Sequence, residues 1–259
     1  MTVELPGDLV DTLRAAERVV VLTGAGVSAE SGVPTFREAQ TGLWRQYDPR
    51  ELATPQAFAR NPRLVWEWYQ WRRQLIEKAR PNPAHYALVD LEQHIPQFLL
   101  VTQNIDGFHW AAGSRDMVEL HGNIARTKCF DEGIIVDNWE ETGEVPPRCP
   151  HCRGYLRPDV VWFGEGIPAH ALHAAFEASQ ACQVFLSVGT SAAVAPAGSL
   201  PLVAKRHGAR VVEINPQQTA VTMMADWSIR GKAGEVLPAL VRRLGIPSIA
   251  LDETTRPEL

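Results

Sequence analysis

The chain has 259 residues, enough to exceed one typical domain and to bury a substantial core. Thirty acidic side chains against 25 basic ones leave a formal charge of −5, which offers no basic field to nucleic acid or to an anionic membrane. No apolar run approaches the ~20 residues of a membrane-spanning helix, and the stretch up to Arg18 mixes charged and apolar positions without a signal-peptide core. No nucleic-acid or membrane partner is expected, and a cytoplasmic location is. The cysteines, Cys129, Cys149, Cys152 and Cys182, are too few and too unevenly spaced for a disulfide scaffold, which agrees with a reducing compartment.

From Leu5 to Arg18, apolar residues at Leu9, Val10, Leu13 and Ala16 predict an amphipathic helix. Val19 to Leu22 reads as a buried parallel strand. It empties into Thr23-Gly24-Ala25-Gly26, where two glycines let backbone amides approach a ligand. Gly24, Gly26 and Ala29 satisfy the dinucleotide spacing G-x-G-x-x-G/A. An ordinary dinucleotide fold continues into a long helix whose N-terminus faces the pyrophosphate. Here Gly32 and Pro34 stop any helix after about two turns. The stretch from Ser31 to Gly42 is therefore expected as a loop over the ligand, with Phe36 and Arg37 as its cover.

Leu43 to Ala79 reads as two or three short helices, with Pro55 and Pro62 placed where helices start. Pro83 to His94 reads as a further helix. The strand Phe98–Val101 runs into the polar cluster Thr102-Gln103-Asn104-Ile105-Asp106-Gly107. Val118 to Leu120 leads to His121-Gly122, and an acidic segment of little periodicity lies between Cys129 and Cys152. Val160 to Phe163 is expected as a short strand and Ala169 to Ala181 as a helix. The strand Val184–Val188 ends in Gly189-Thr190-Ser191. A helix from Leu200 to His207, a strand from Arg210 to Ile214 ending at Asn215-Pro216, and a last helix from Lys232 to Leu244 follow. Beyond Gly245 the pattern is lost, as in a frayed tail.

This alternation predicts an α/β fold with a doubly wound parallel sheet. Its strands end in small polar clusters at Thr23-Gly24, Gln103-Asn104, Gly189-Thr190-Ser191 and Asn215. Turn chemistry accounts for any one of these alone. The set points to a nucleotide at the carboxyl edge of the sheet.

Gly24-Ala25-Gly26-Val27-Ser28, Pro34-Thr35-Phe36-Arg37, Thr102-Gln103-Asn104-Ile105-Asp106 and His121-Gly122 together resemble the sirtuins, NAD-dependent protein-lysine deacylases. Phe163-Gly164-Glu165, Gly189-Thr190-Ser191 and Asn215 extend the resemblance across nearly the whole chain. It implies a Rossmann-like NAD-binding domain, residues 1–35, 82–122 and 158–245. A smaller domain of helical and zinc-binding-type insertions, 36–81 and 123–157, would accompany it, with 246–259 as a tail.

Carried over by position, the resemblance assigns Gly24, Ala25, Gly26 and Ser28 to the pyrophosphate. Phe36 and Arg37 go to the loop above the nicotinamide ribose, and Gln103, Asn104, Ile105 and Asp106 to the nicotinamide pocket. Gly189, Thr190, Ser191, Asn215, Pro216, Gln217 and Ala233 go to the adenosine half. His121 and Asn104 are the implied catalytic residues. NAD is consumed as an electrophile: nicotinamide leaves and the acyl-lysine carbonyl oxygen attacks the ribose carbon. A base then activates a ribose hydroxyl. Imidazole titrates near neutral pH, which suits His121 to that task. The products implied are free lysine, nicotinamide and O-acyl-ADP-ribose.

Trp66 to Arg73 places Tyr69 and Arg72 three apart, on one face of a helix. The plain reading is an aromatic helix against the core with snorkelling arginines. The sharper reading is that this resembles the Tyr-x-x-Arg pair of sirtuins that remove succinyl or malonyl groups, whose distal carboxylate it would bind. Ala53 matches a position that is bulkier in ordinary deacetylases, and Val161 and Phe163 are assigned to the acyl-lysine. Succinyl and malonyl groups are expected as substrates, with acetyl as well.

The family's zinc site has two C-x-x-C pairs. This chain has Cys149 and Cys152, but only Cys129 of the first pair, with Glu132 where the fourth cysteine stands. Three thiolates and that carboxylate can hold zinc weakly, Asp131 or His151 can substitute, or the module can rest on packing alone. Cys182, in an apolar stretch, reads as an inert core thiol. Two other functions use the same residues: mono-ADP-ribosyl transfer, which shares the first step, and NAD sensing without turnover, which has no need of a base.

Overall fold

The computed structural model describes residues 3–34, 47–140 and 142–248. The loop from Ser31 to Gly42 falls mostly outside them, and Phe36 and Arg37 lie outside them altogether, as does the tail beyond 248.

Six strands form one parallel sheet: β1 (Arg18–Thr23), β2 (Gln97–Thr102), β3 (Met117–Glu119), β6 (Val184–Val188), β7 (Arg210–Ile214) and β8 (Trp227–Ile229). The order is β3-β2-β1-β6-β7-β8, so the chain winds outward in one direction from β1 and in the other from β6. The crevice outside the carboxyl ends at that switch point is where open α/β sheets bind ligands. The register brings the ends level, with Thr23 opposite both Thr102 and Val188. β1 and β6 are buried almost throughout, as befits β-branched runs covered on both faces. Leu9, Leu13, Leu88 and Leu240 pack one face of the sheet, and Phe185, Leu200, Ala175 and Val211 the other.

Helix α2 (Ala25–Ala29) is a single short helix, as Gly32 and Pro34 require. Between positions 49 and 94 four helices begin alike. In α3 (Pro49–Leu52), α4 (Pro55–Arg60), α5 (Pro62–Lys78) and α6 (Pro83–His94), a proline fills the first turn, where no N–H is needed. The residue before each proline, Asp48, Thr54, Asn61 or Asn82, accepts a backbone N–H as N-cap. α5 is one helix of 17 residues, longer than the sequence pattern implies. Its residues Trp68 and Tyr69 join Phe58, Ile124 and Trp162 in a separate aromatic core.

A second, two-stranded antiparallel sheet pairs β4 (Gly122–Cys129) with β5 (Leu156–Val160). The strand expected over Val160–Phe163 therefore lies earlier and runs through Pro158, which an edge strand tolerates. Residues 161–163 leave the sheet because their main chain is engaged elsewhere. Val161 N–H donates to His121 O at 2.9 Å, and Phe163 N–H to Ala53 O at 2.9 Å. β4, β8 and the short helix α7 (Phe108–Ala112) had no clear periodic signal. The remaining α-helices among the described residues are α1 (Gly7–Ala15), α8 (Ala169–Ala181), α9 (Leu200–Arg206) and α10 (Ala233–Leu244), all close to expectation.

Candidate active site

A cleft of about 750 Å³ opens at the carboxyl edge of the large sheet. Its floor is backbone. Gly24 N–H donates to Val188 O at 3.1 Å and Gly26 N–H to Gly189 O at 2.8 Å, so the loops after β1 and β6 are sewn together. A Cβ on Gly24 would stand 2.6 Å from the Thr190 side chain, and one on Gly26 would stand 2.7 Å from Gly189 O. Gly189 itself has φ 58°, in the left-handed region that favours glycine. These contacts leave no room for side chains, and so preserve a main-chain cradle of the kind that accepts a pyrophosphate.

Side chains then lock the cradle. Asn104 donates from Nδ2 to Gly24 O and to Ser28 Oγ, each at 3.0 Å, while Ser28 Oγ donates to Asp106 Oδ2 at 2.6 Å. Asp106 also accepts the Phe108 N–H at 2.9 Å. Burial raises its carboxyl pKa, against the lowering effect of those hydrogen bonds. Gln103 reaches Thr190 Oγ1 at 2.9 Å, and Asn215 Nδ2 donates to Thr190 O at 3.1 Å. The first turn of α10, with Ala233, closes the far end beside Ser191, Pro216 and Gln217.

His121 stands where this floor meets the second sheet. Its Nδ1 lies 3.1 Å from Gln103 O. A carbonyl can only accept, so Nδ1 carries the hydrogen and Nε2 is left as a free base. Burial lowers the imidazole pKa, against the opposing effect of the Gln103 carbonyl, which favours the neutral form at pH 7. The turn that presents His121 depends on Gly122, at φ 76°, where a Cβ would stand 2.2 Å from Asp159 O.

Across from the floor, Ala53, Tyr69, Arg72, Val161 and Phe163 line the same cleft. Tyr69 and Arg72 share a face of α5 and are both buried, at 1% and 7% exposure, so these are not snorkelling surface side chains. Burial pushes the Tyr69 phenol up to about 12, against the lowering effects of Arg72 and of a hydrogen bond from Trp162. It is therefore a neutral hydroxyl at pH 7. Every predicted ligand-binding residue among the described residues thus lines one cavity.

Two lining residues, Trp162 and Glu30, had no motif to announce them. Trp162 and Glu165 lie in the turn after β5, and Glu165 is held by Arg157 at 2.6 Å. Glu30 reaches from the end of α2 to the Gly234 N–H at 3.1 Å, tying the cradle to the start of α10. For Trp162 and Glu30 the only signal was adjacency to quoted motifs, whereas Glu165 belongs to the quoted Phe163-Gly164-Glu165.

Away from the cleft, ligand atoms of Cys129, Glu132, Cys149 and Cys152 all lie within 4.8 Å of one another. Backbone N–H groups of Glu132 and Gly154 donate to Cys129 Sγ and Cys152 Sγ, each at 3.4 Å, as they do around thiolates. The donor set of three sulfurs and a carboxylate suits a tetrahedral zinc. Cys182 is buried, its thiol pushed up to about 12 by burial.

The parallel sheet, the main-chain cradle and the histidine at its rim define an α/β protein of the dinucleotide-binding class, with one cleft that continues from the cradle to Tyr69 and Arg72. A profile of the Sir2 family matches residues 24–196. The NAD-dependent protein deacylase of Aquifex aeolicus is 53% identical over 218 residues, covering 83% of this chain and 90% of that protein. NAD-dependent protein deacylase 1 of Pseudomonas aeruginosa is 50% identical over 243 residues, 91% and 97% of the respective lengths. The solved structure of a Sir2 homolog–NAD complex superposes with a TM-score of 0.87 at 45% identity, covering 94% of this chain and 95% of the other. The chain belongs to the Sir2 family, the sirtuins.

Proposed function

We propose that this chain is an NAD-dependent protein-lysine deacylase that favours acidic acyl groups, succinyl and malonyl, and also accepts acetyl. The observation that carries the reading is the single cleft in which a main-chain cradle, the free Nε2 of His121 and the Tyr69–Arg72 pair meet. The relatives' names support the reaction class. So does a Sir2 homologue solved with 2′-O-acetyl ADP ribose, at 45% identity and a TM-score of 0.86. A Sir2–p53 peptide–NAD complex, at 29% identity and a TM-score of 0.83, supports a peptide or protein as the acyl-lysine carrier.

In this reading NAD lies over Gly24, Ala25, Gly26 and Ser28. Its adenosine half lies against Gly189, Thr190, Ser191, Asn215, Pro216, Gln217 and Ala233, and its nicotinamide against Gln103, Asn104, Ile105 and Asp106. Asn104 and Asp106 hold the cradle in shape while the glycosidic bond breaks. His121 takes the proton of a ribose hydroxyl at Nε2, and the Gln103 carbonyl keeps the ring in the tautomer that can do so. Tyr69 and Arg72 bind the distal carboxylate, Ala53 leaves room for it, and Val161 and Phe163 flank the lysine stem. Phe36 and Arg37, outside the described residues, keep their assignment to the loop over the ribose. Zinc would be held by Cys129, Cys149, Cys152 and Glu132 and would brace their module. The aromatic core around Phe58, Trp68, Tyr69 and Ile124 supports treating 36–81 and 123–157 as a small domain, with Ile105, Val160 and Trp162 of the larger one completing that core.

Incubation with NAD and a panel of acylated peptides, followed by mass analysis, tests the proposal. The expected outcome is nicotinamide release matched by free lysine and O-acyl-ADP-ribose, fastest on succinyl or malonyl peptides. ADP-ribosyl-protein in place of free lysine would overturn it in favour of transfer.

A further inference from the structure

We propose that Trp162 is a specificity-determining residue: its indole N–H orients the Tyr69 phenol so that the phenol presents its own hydrogen to the acyl pocket. This rests on the acidic-acyl reading above and extends it from the pair that touches the acyl group to the residue that sets one of them.

Trp162 Nε1 donates to the Tyr69 hydroxyl oxygen at 2.9 Å, and both side chains are buried, at 2% and 1% exposure. A phenol hydrogen lies in the plane of its ring and has two positions there. Because an indole N–H can only donate, its approach excludes the position on its own side. The hydroxyl hydrogen is left with the other position. No acceptor for that hydrogen occurs among the described residues, while Tyr69 and Arg72 both line the cleft. Burial keeps the phenol protonated at neutral pH, so it has a hydrogen to give.

The indole is itself held on two sides. The main-chain N–H of Trp162 donates to Glu165 Oε2 at 2.8 Å, which fixes the backbone that carries the indole. The Arg157 guanidinium lies 3.2 Å from the centroid of the Trp162 ring, while bound to both Glu165 oxygens and, at 2.7 Å, to Val160 O. Phe58 packs against the same indole with ring centroids 5.3 Å apart. A cation over the ring face also draws electron density from the indole and makes its N–H a better donor. The hydrogen of Tyr69 is thus fixed before substrate arrives. Only an acyl group with a terminal acceptor of negative charge gains from that preorganisation, and acetyl has none.

The experiment measures kcat/KM on succinyl-lysine and acetyl-lysine versions of one peptide for wild type, Trp162→Phe, Tyr69→Phe and the double variant. The succinyl-to-acetyl ratio should fall about tenfold in Trp162→Phe, the scale of one hydrogen bond to a charged group, with the change lying mainly in KM for the succinyl peptide. In the Tyr69→Phe background the same substitution should leave the ratio where it is, because the phenol through which Trp162 acts is gone. If Trp162→Phe does not fold, 3-benzothienylalanine at position 162 keeps the bicyclic shape and removes the N–H, and the same tenfold fall is expected. A wild type that prefers succinyl but keeps its ratio on losing the indole N–H overturns the inference alone, as does an equal fall in both backgrounds. A wild type with no preference for succinyl overturns the acidic-acyl reading and this inference with it.

Discussion

The two halves of the cleft are built from different materials. The half proposed to hold the dinucleotide is main chain: Gly24, Gly26 and Gly189 press loop against loop, and side chains such as Asn104 serve to hold carbonyls and hydroxyls in place. The half proposed to hold the acyl group is side chain: Tyr69 and Arg72 on α5, with Trp162 behind them, form a polar pair in an aromatic core. A backbone surface is generic toward phosphates and fails when anything is added to it. A side-chain surface is selective and fails when something is removed. His121 sits on the seam between them, so its loss should have the largest effect. His121→Ala should lower acyl-lysine turnover by about 10²–10⁴, the range of general-base catalysis, while NAD binding measured by calorimetry stays near wild type. Equal losses of turnover and NAD affinity would place His121 in the cradle and not at the seam.

The dinucleotide half should break by addition. Gly26→Ala drives a Cβ against the Gly189 carbonyl, a contact of 2.7 Å that no flexible side chain can relieve. The expected cost is about 1–3 kcal/mol of stability for such overpacking, together with a rise in KM for NAD larger than any fall in kcat. Chemical denaturation and NAD titration of the same variant check both. The acyl half should break by removal. Arg72→Met is expected to lower kcat/KM for succinyl peptides by about 10–100-fold, the worth of a hydrogen bond to a charged group, and to change acetyl peptides far less. A uniform drop on both peptides would assign Arg72 to the fold and not to selectivity.

The same contrast governs what was legible in the chain. The residues that build the main-chain cradle could be read from the chain, because a cradle without room for Cβ must be written in glycines and small polar residues directly after strands. The four inner strands of the large sheet, β1, β2, β6 and β7, are mostly buried and equally plain as apolar runs, whereas the short edge strand β8 is not. Pro49, Pro55, Pro62 and Pro83 after Asp, Thr and Asn mark helix starts for a local reason, though α5 ran longer than its Trp-rich text implied. The acyl half resists such reading, because its contacts are distant in sequence: Trp162 reaches Tyr69 across 93 residues. β4 and β5 have too few alternating apolar positions to stand out, and β5 hides a proline. The turn at 161–165 looked like a strand because Val160–Phe163 is apolar, but its main chain bonds to His121 and Ala53.

The pH profile sharpens the seam itself. Burial lowers the His121 pKa below its ordinary value of 6.5, so the imidazole proposed as the base is neutral above that depressed value. Turnover should therefore hold through pH 6.5 and fall only as pH drops through the lower, depressed value, on a limb that His121→Ala abolishes. A second, independent acid effect concerns stability. Burial lowers the pKa of His85 to about 4, and the Asn82 N–H donates to its Nδ1 at 3.1 Å. The unfolded chain takes up a proton below the ordinary value of 6.5 and the folded one only near 4. Stability contributed by the neutral ring is thus complete above 6.5 and declines as pH falls toward 4. Melting temperatures measured from pH 7 to 4 should fall over that window, and His85→Gln should flatten the decline.

The smallest effect should come from the cysteine module, which lies outside the cleft. Cys129 and Cys149 are buried beside Trp66 and Leu156, so packing supports them whether or not a metal is bound. Glu132 and Cys152 are exposed and gain most from one. Stripping metal with a chelator should therefore lower the melting temperature by a few degrees, about what 1–2 kcal/mol produces in a chain of this size, without unfolding the protein. Glu132→Cys completes a tetrathiolate and should slow metal loss to the chelator, since thiolate binds zinc more strongly than a weakly held carboxylate. NAD affinity should be the same in both proteins, because the cradle is main chain from another sheet. A change in NAD affinity on metal removal would show that the two halves of the cleft are coupled through β4 and β5, and that the division between a main-chain floor and a side-chain wall is too sharp.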